Sequence, residues 1–149
     1  MWSINEGIIS LKKYGAKITP QRIAILKCLQ GRLDHPSAND IYKELIKEYP
    51  SISFATVYGT AQLLTESGLL RTLSIDNKRV YFDPNTQPHA HFLCRSCASL
   101  IDIPFNETEL RNSALSNMTL IQSIDQAEIF LYGTCSKCTQ NKQMSSKDD

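Results

Sequence analysis

Apolar residues in the first half of the chain recur at helical spacing, while in the second half they fall into short β-prone runs separated by turn-formers. Ile4, Ile8, Ile9 and Leu11 mark one side of a first helix, over about 4–14. Lys12 and Lys13 suit its C-terminal dipole, and Gly15 stops it. Thr19-Pro20 reads as an N-cap followed by proline at the first helical position, opening a helix with Ile23, Leu26 and Leu29 inward that ends near Gly31. Ser37 caps a third helix carrying Ala38, Ile41, Tyr42, Leu45, Ile46 and Tyr49 at i, i+3, i+4 spacing, ended by Pro50. A fourth runs from Ser53 to about Ser67, with Val57, Ala61 and Leu64 inward and Gly68 as its stop. Ala55, Tyr58, Gly59 and Gln62 are left on its outer face.

Beyond Gly68 the period changes. Leu70 to Ile75 and Arg79 to Phe82 read as a hairpin turning at Asp76-Asn77-Lys78. Helices followed by a hairpin predict a winged helix-turn-helix, whose last helix enters the major groove. The bland alternative, a small helical domain that touches no nucleic acid, is weakened by Thr56, Tyr58 and Thr60. Such side chains can reach thymine methyls and phosphates, whereas a merely solvated face more usually carries Lys and Glu. Two prolines bracket polar turn-formers over 83–88, a hinge by composition. After it come strands at His89 to Cys94 and Ser99 to Ile103, a helix capped by Asn106 with Glu109 three residues on, and strands around Leu120 to Ser123 and Glu128 to Tyr132. Leu110, Ala114, Leu115 and Met118 give that helix an apolar stripe. The expected fold is therefore α+β: a winged-helix DNA-binding domain over 1–82, the hinge, a C-terminal α/β dimerisation domain over 89–138, and a disordered tail over 139–149. The second half is too small to close a large core alone, so a homodimer burying its sheet edge and helix face is expected.

Charge sharpens this division. The net charge is only +1, but residues 1–82 hold 11 Lys/Arg against 7 Asp/Glu and residues 83–149 hold 5 against 8, which fits a nucleic-acid-facing first half. No signal peptide and no apolar run of membrane-spanning length is present, so a cytoplasmic protein with no membrane partner is expected.

Chemistry concentrates in Pro88 to Cys97, which holds two of the three histidines and two of the five cysteines. Cys94-x-x-Cys97 and Cys135-x-x-Cys138 supply four thiolates from two tight turns, a set that suits tetrahedral zinc with no open position and hence a structural role. A redox dithiol would need a Cys-x-x-Cys at a helix start within a βαβ unit, which the pattern does not offer; an iron–sulfur cluster is the other alternative. Cys28, alone in an apolar helix, reads as a small buried hydrophobe. His89 and His91 fall on one strand face, about 7 Å apart at a rise of roughly 3.3 Å per residue, and Cys94 on the other. Two imidazoles need oxygen partners. Asp83 and Asp102 are candidates, as is His35 in the loop between the second and third helices, and such a mixed set suits iron(II), manganese or zinc.

The chain resembles the ferric uptake regulator family from about Leu11 to Cys138, through Ile18-Thr19-Pro20-Gln21-Arg22, Asp34-His35-Pro36, Ser53-Phe54-Ala55-Thr56-Val57-Tyr58, Glu66-Ser67-Gly68-Leu69, Tyr81-Phe82-Asp83, His89-Ala90-His91 and both cysteine pairs. The resemblance implies a dimeric, metal-dependent repressor without enzymatic activity that binds a pseudo-palindromic DNA operator. It is strongest to the peroxide-stress branch, whose regulatory Fe2+ or Mn2+ site maps onto His35, Asp83, His89, His91 and Asp102; the iron-sensing branch more typically carries glutamate at the last position. In that branch peroxide reacts with bound iron(II), the oxidant modifies a ligand histidine, here His35 or His89, and DNA is released. Tyr58 and Thr56 are expected near bases, with Lys17 and Arg22 on phosphate or in the minor groove, and Ala55, Thr60 and Gln62 completing the DNA-facing set. Gly59, Thr60 and Gln62 stand where the family often has asparagines and an arginine, which points to a different operator. A further histidine-rich site is missing, since Ala90 separates the histidines and Ile124-Asp125-Gln126 precede the last strand. The alternatives are an iron- or zinc-uptake regulator of the same family and, in another class, a non-haem iron enzyme, for which no substrate-binding motif is present.

Overall fold

The computed structural model describes residues 2–76, 79–116, 122–124 and 127–145. The chain divides into two compact units, Met1–Thr86 and Gln87–Asp149.

The first unit holds α1 (Ile4–Lys13), α2 (Pro20–Leu29), α3 (Ala38–Leu45) and α4 (Phe54–Glu66), then β1 (Arg71–Asp76) and β2 (Arg79–Asp83). Each helix begins where a local signal puts it. Ser3, Thr19, Ser37 and Ser53 accept the third backbone N–H of their helices, and Ser3 with Glu6 and Ser37 with Asp40 form reciprocal capping boxes. At the other end of α4, Gly68 has φ 75°, and the Leu69 N–H reaches back to the Leu64 carbonyl at 2.9 Å, closing the last turn. One core joins all four helices: Leu11 from α1, Ile25, Leu26 and Leu29 from α2, Ile41 from α3, and Val57, Ala61 and Leu64 from α4, with Leu70 and Phe82 from the hairpin side. Ile9, expected on the inner side of α1, is 66% exposed, because the buried stripe runs through Gly7 and Leu11 and leaves position 9 on the opposite face. The wing pairs antiparallel from Arg71↔Asp83 to Asp76↔Arg79; its expected turn includes 77 and 78, outside the described residues.

The second unit is a three-stranded sheet in the order β4 (Leu100–Ile103), β3 (Ala90–Cys94), β5 (Phe130–Gly133), with β3 antiparallel to β4 and parallel to β5. Helix α5 (Glu107–Ser116) starts where Asn106 Oδ1 accepts the Glu109 N–H at 3.2 Å, yet none of its residues is buried. Met118 of its expected stripe lies outside the described residues, as do 120 and 121 of an expected strand; Gln122 and Ser123 are not in a strand. Residues 139–145, expected without regular structure, belong instead to α6 (Ser136–Ser145). The Cys135 carbonyl receives the Thr139 N–H at 3.0 Å, so the helix grows directly out of the second cysteine pair. Among the described residues no helix is long and apolar enough to cross a membrane.

Candidate metal centres and nucleic-acid surface

The four cysteines come together at one end of the second unit. Cys94 ends β3; the chain then turns tightly through Ala98 (φ 58°), whose N–H donates to the Cys94 carbonyl at 2.8 Å, while the Cys94 N–H donates to the Ser99 carbonyl at 2.9 Å. Cys135 and Cys138 flank the start of α6, and the Arg95 N–H binds the Gly133 carbonyl at 2.8 Å to hold the two turns side by side. The Cys94 and Cys138 sulfurs are 3.9 Å apart and those of Cys97 and Cys135 3.8 Å; all four lie within 4.8 Å of one another. Tetrahedral zinc with Zn–S bonds near 2.3 Å sets its ligands about 3.8 Å apart, so the sulfur spacing fits that ion. The protons are unevenly held. Backbone N–H groups, first that of Cys135, pull the Cys94 thiol down to about 6, while hydrogen bonding to neighbouring sulfurs, first Cys97, pushes Cys138 up to about 12. Zinc binds all four as thiolates, so its binding would release the protons that remain on them.

Histidines and carboxylates gather in each unit. In the first, the Phe82 N–H donates to the Pro36 carbonyl at 3.0 Å and Ser37 bridges Tyr81, so the end of the wing is tied to the loop preceding α3. That tie brings His35 Nε2 within 3.8 Å of Asp83 Oδ1, both buried. His35 has φ 48°, a conformation unfavourable for most side chains. Asp83 Oδ1 also accepts the Asn85 N–H at 2.7 Å. In the second unit, His91 pairs across the sheet with Asp102, and both His89 Nε2 (3.5 Å) and His91 Nε2 (3.8 Å) approach Asp102 Oδ1. The imidazole centroids are 4.5 Å apart, closer than backbone rise alone suggests, because His89 precedes the strand and its ring leans toward that of His91. His89 Nδ1 lies 2.7 Å from the Gln87 carbonyl, which can only accept, so Nδ1 donates there and Nε2 is the nitrogen left to face a metal. His91 stacks on Phe130 at 5.5 Å.

The outer surface of α4 is the candidate nucleic-acid face. Ala55, Tyr58 and Gln62 are exposed, Gln62 donating to Glu66 at 3.2 Å, and Thr56 is half-buried. An open groove of about 420 Å³ joins Thr56 to Lys17 and Arg22, and Arg22 Nη1 donates to the Lys17 carbonyl at 2.6 Å. Thr60 does not belong to this face. It is 1% exposed and its hydroxyl donates to the Thr56 carbonyl, since position 60 is three residues from Val57 and four from Leu64 and so shares the core stripe. Phe54 is absent from the expected DNA-facing set, although it is 47% exposed at the first position of α4 and stacks on Tyr58 at 6.3 Å. Its i, i+4 relation to Tyr58 was the available signal. Cys28 is half-buried beside Arg32 and Glu44, and burial pushes its thiol up.

A winged helix with a small α/β unit that carries a four-sulfur clasp defines the protein as a metal-holding, DNA-binding transcription regulator. Residues 13–127 match the model of the ferric uptake regulator family. The chain is 32% identical over 139 residues to the peroxide operon regulator of Bacillus subtilis, covering 93% of this chain and 95% of that one. The crystal structure of the Vibrio cholerae ferric uptake regulator superposes with a TM-score of 0.67 at 30% identity, covering 85% of this chain and 97% of that one. The peroxide-sensing regulator PerR of Streptococcus pyogenes gives a TM-score of 0.51 at 26% identity, over 93% and 94%. The chain belongs to the ferric uptake regulator family.

Proposed function

We propose that the protein is a peroxide-responsive, metal-dependent repressor. The observation that carries this reading is the pairing of His35 with Asp83 in one unit and the convergence of His89 and His91 on Asp102 in the other. These five residues are the regulatory ligand set, filled by one Fe2+ or Mn2+ ion, and Cys94, Cys97, Cys135 and Cys138 hold a structural Zn2+. Three nitrogens with carboxylate oxygens suit a redox-active ion, and iron(II), when bound, supplies the chemistry with peroxide. Because the ligands come from both sides of the hinge, their common occupation fixes how the DNA-binding unit is presented. Metal and operator affinities are then reciprocally linked, by about 1–3 kcal/mol.

The protein acts in the cytoplasm as a homodimer on a pseudo-palindromic operator. The exposed Leu110 and Leu115 of α5 and Ile101 and Leu131 on the outer strands form the dimer surface. Lys17, Arg22, Ala55, Thr56, Tyr58 and Gln62 face the duplex. The relatives named as peroxide regulators and the aspartate at 102 favour peroxide over iron level as the signal. Iron-loaded protein exposed to peroxide is expected to gain one oxygen atom on His35 or His89 by peptide mass spectrometry, with parallel loss of operator binding. Oxidation confined to cysteines contradicts this reading, and release by iron withdrawal but not by peroxide favours an iron-uptake regulator.

A further inference from the structure

We infer that Phe54 reads the C5-methyl groups of thymine in the major groove, as one member of an exposed aromatic pair with Tyr58. The inference rests on α4 being the DNA-reading helix. Phe54 is the first residue of α4, the end from which recognition helices of this architecture contact base edges. Its ring lies nearly parallel to that of Tyr58, 24° between planes, and Tyr42 of α3 meets it edge-on at 6.0 Å and 81°. Tyr42 packs against the core, so the pair is braced from within the fold. Helical side chains lean toward the N-terminus, which sets the Tyr58 ring back over Phe54 and leaves the two as one ridge.

The chemistry of the ridge restricts its ligand. A phenyl ring has no donor or acceptor, so it can bind neither phosphate nor the polar edges of G, C or A. The one apolar group that bases present in the major groove is the thymine methyl. Thr56, on another side of the same helix start, lines a groove with Lys17 and Arg22, a basic surface suited to the phosphate backbone. Ala55 beside it is small and exposed and gives the ridge room to enter.

The test uses the full-length, metal-loaded protein and a duplex selected by that protein from random sequence, with single thymines exchanged for deoxyuridine to remove only the methyl. Wild-type protein is expected to lose roughly four-fold in affinity at the thymine facing Phe54. Phe54→Ala is expected to bind the thymine duplex roughly 10-fold more weakly and to show no further loss on the uracil exchange at that position. It should still respond at the thymine facing Tyr58. Phe54→Leu, which keeps an apolar tip, should retain part of the methyl preference. Circular dichroism melting shows whether either variant is folded. Equal weakening of Phe54→Ala on thymine and uracil duplexes, or no weakening, overturns the assignment. A Tyr58→Ala variant that binds as tightly as wild type to every duplex would instead overturn the reading of α4 as the DNA helix.

Discussion

The two units reach stability by different routes. The described residues of 2–82 close a core of 15 buried side chains, from Trp2 to Phe82, whereas the second unit buries only Ala90 and Cys94 among its described apolar residues and leaves Ile101, Leu110, Leu115, Leu131 and Tyr132 exposed. The first unit is a small globular fold of ordinary kind. The second is a three-stranded sheet with few buried apolar residues, and a metal clasp can supply the folding energy that a core supplies elsewhere. The DNA-reading unit therefore has a core of its own, while the unit with the four-cysteine clasp does not.

The largest test is removal of the clasp. Cys135→Ser, or stripping zinc with a chelator, removes coupled folding energy on the order of 10 kcal/mol and should unfold the second unit and abolish dimerisation. Trp2, the chain's one tryptophan, sits in the first unit's core, so its fluorescence should stay native while sedimentation reports monomer. Loss of Trp2 burial together with zinc would erase the distinction between the units. Truncating the other core comes next. Leu64 is fully buried, and Leu64→Ala should cost about 2–5 kcal/mol in thermal unfolding of the first unit while bound zinc is unchanged.

The smallest effect is electrostatic. Arg32 pairs with Asp34 and Glu44, each at 2.7 Å, and the Arg32 hydrogen bond holds the Asp34 carboxyl below its ordinary range. A depressed carboxylate contributes stability above the unfolded value near 4 and loses it as pH falls through the folded value. Arg32→Ala should therefore cost less than about 1 kcal/mol at neutral pH, given how exposed Asp34 is, and the difference from wild type should shrink in acid. A gap that widens in acid would contradict the sign.

The first unit was the more legible of the two because its signals are local. Ser37, Ser53 and Thr19-Pro20 cap their helices through bonds made within a turn, and Gly15 and Gly68 end theirs in a conformation that side chains resist. Both cysteine pairs were legible for the same reason, two thiols per turn. What escaped did so for different reasons. Thr60 was assigned outward by its chemistry although its period puts it with Val57 and Leu64; the closeness of His89 and His91 depends on ring orientation that backbone rise does not set. Helix α6 has no apolar stripe, so nothing in its own sequence announces it before the clasp that starts it.

The separation of a structural clasp from a regulatory site is the centre of the account, and His89→Ala tests it most directly, with zinc content, dimerisation and metal-dependent operator binding measured on one preparation. The expected result is a folded dimer that keeps its zinc and no longer binds operator when iron(II) or manganese(II) is added. Loss of zinc and fold together, or metal-dependent binding that survives the substitution, would contradict it.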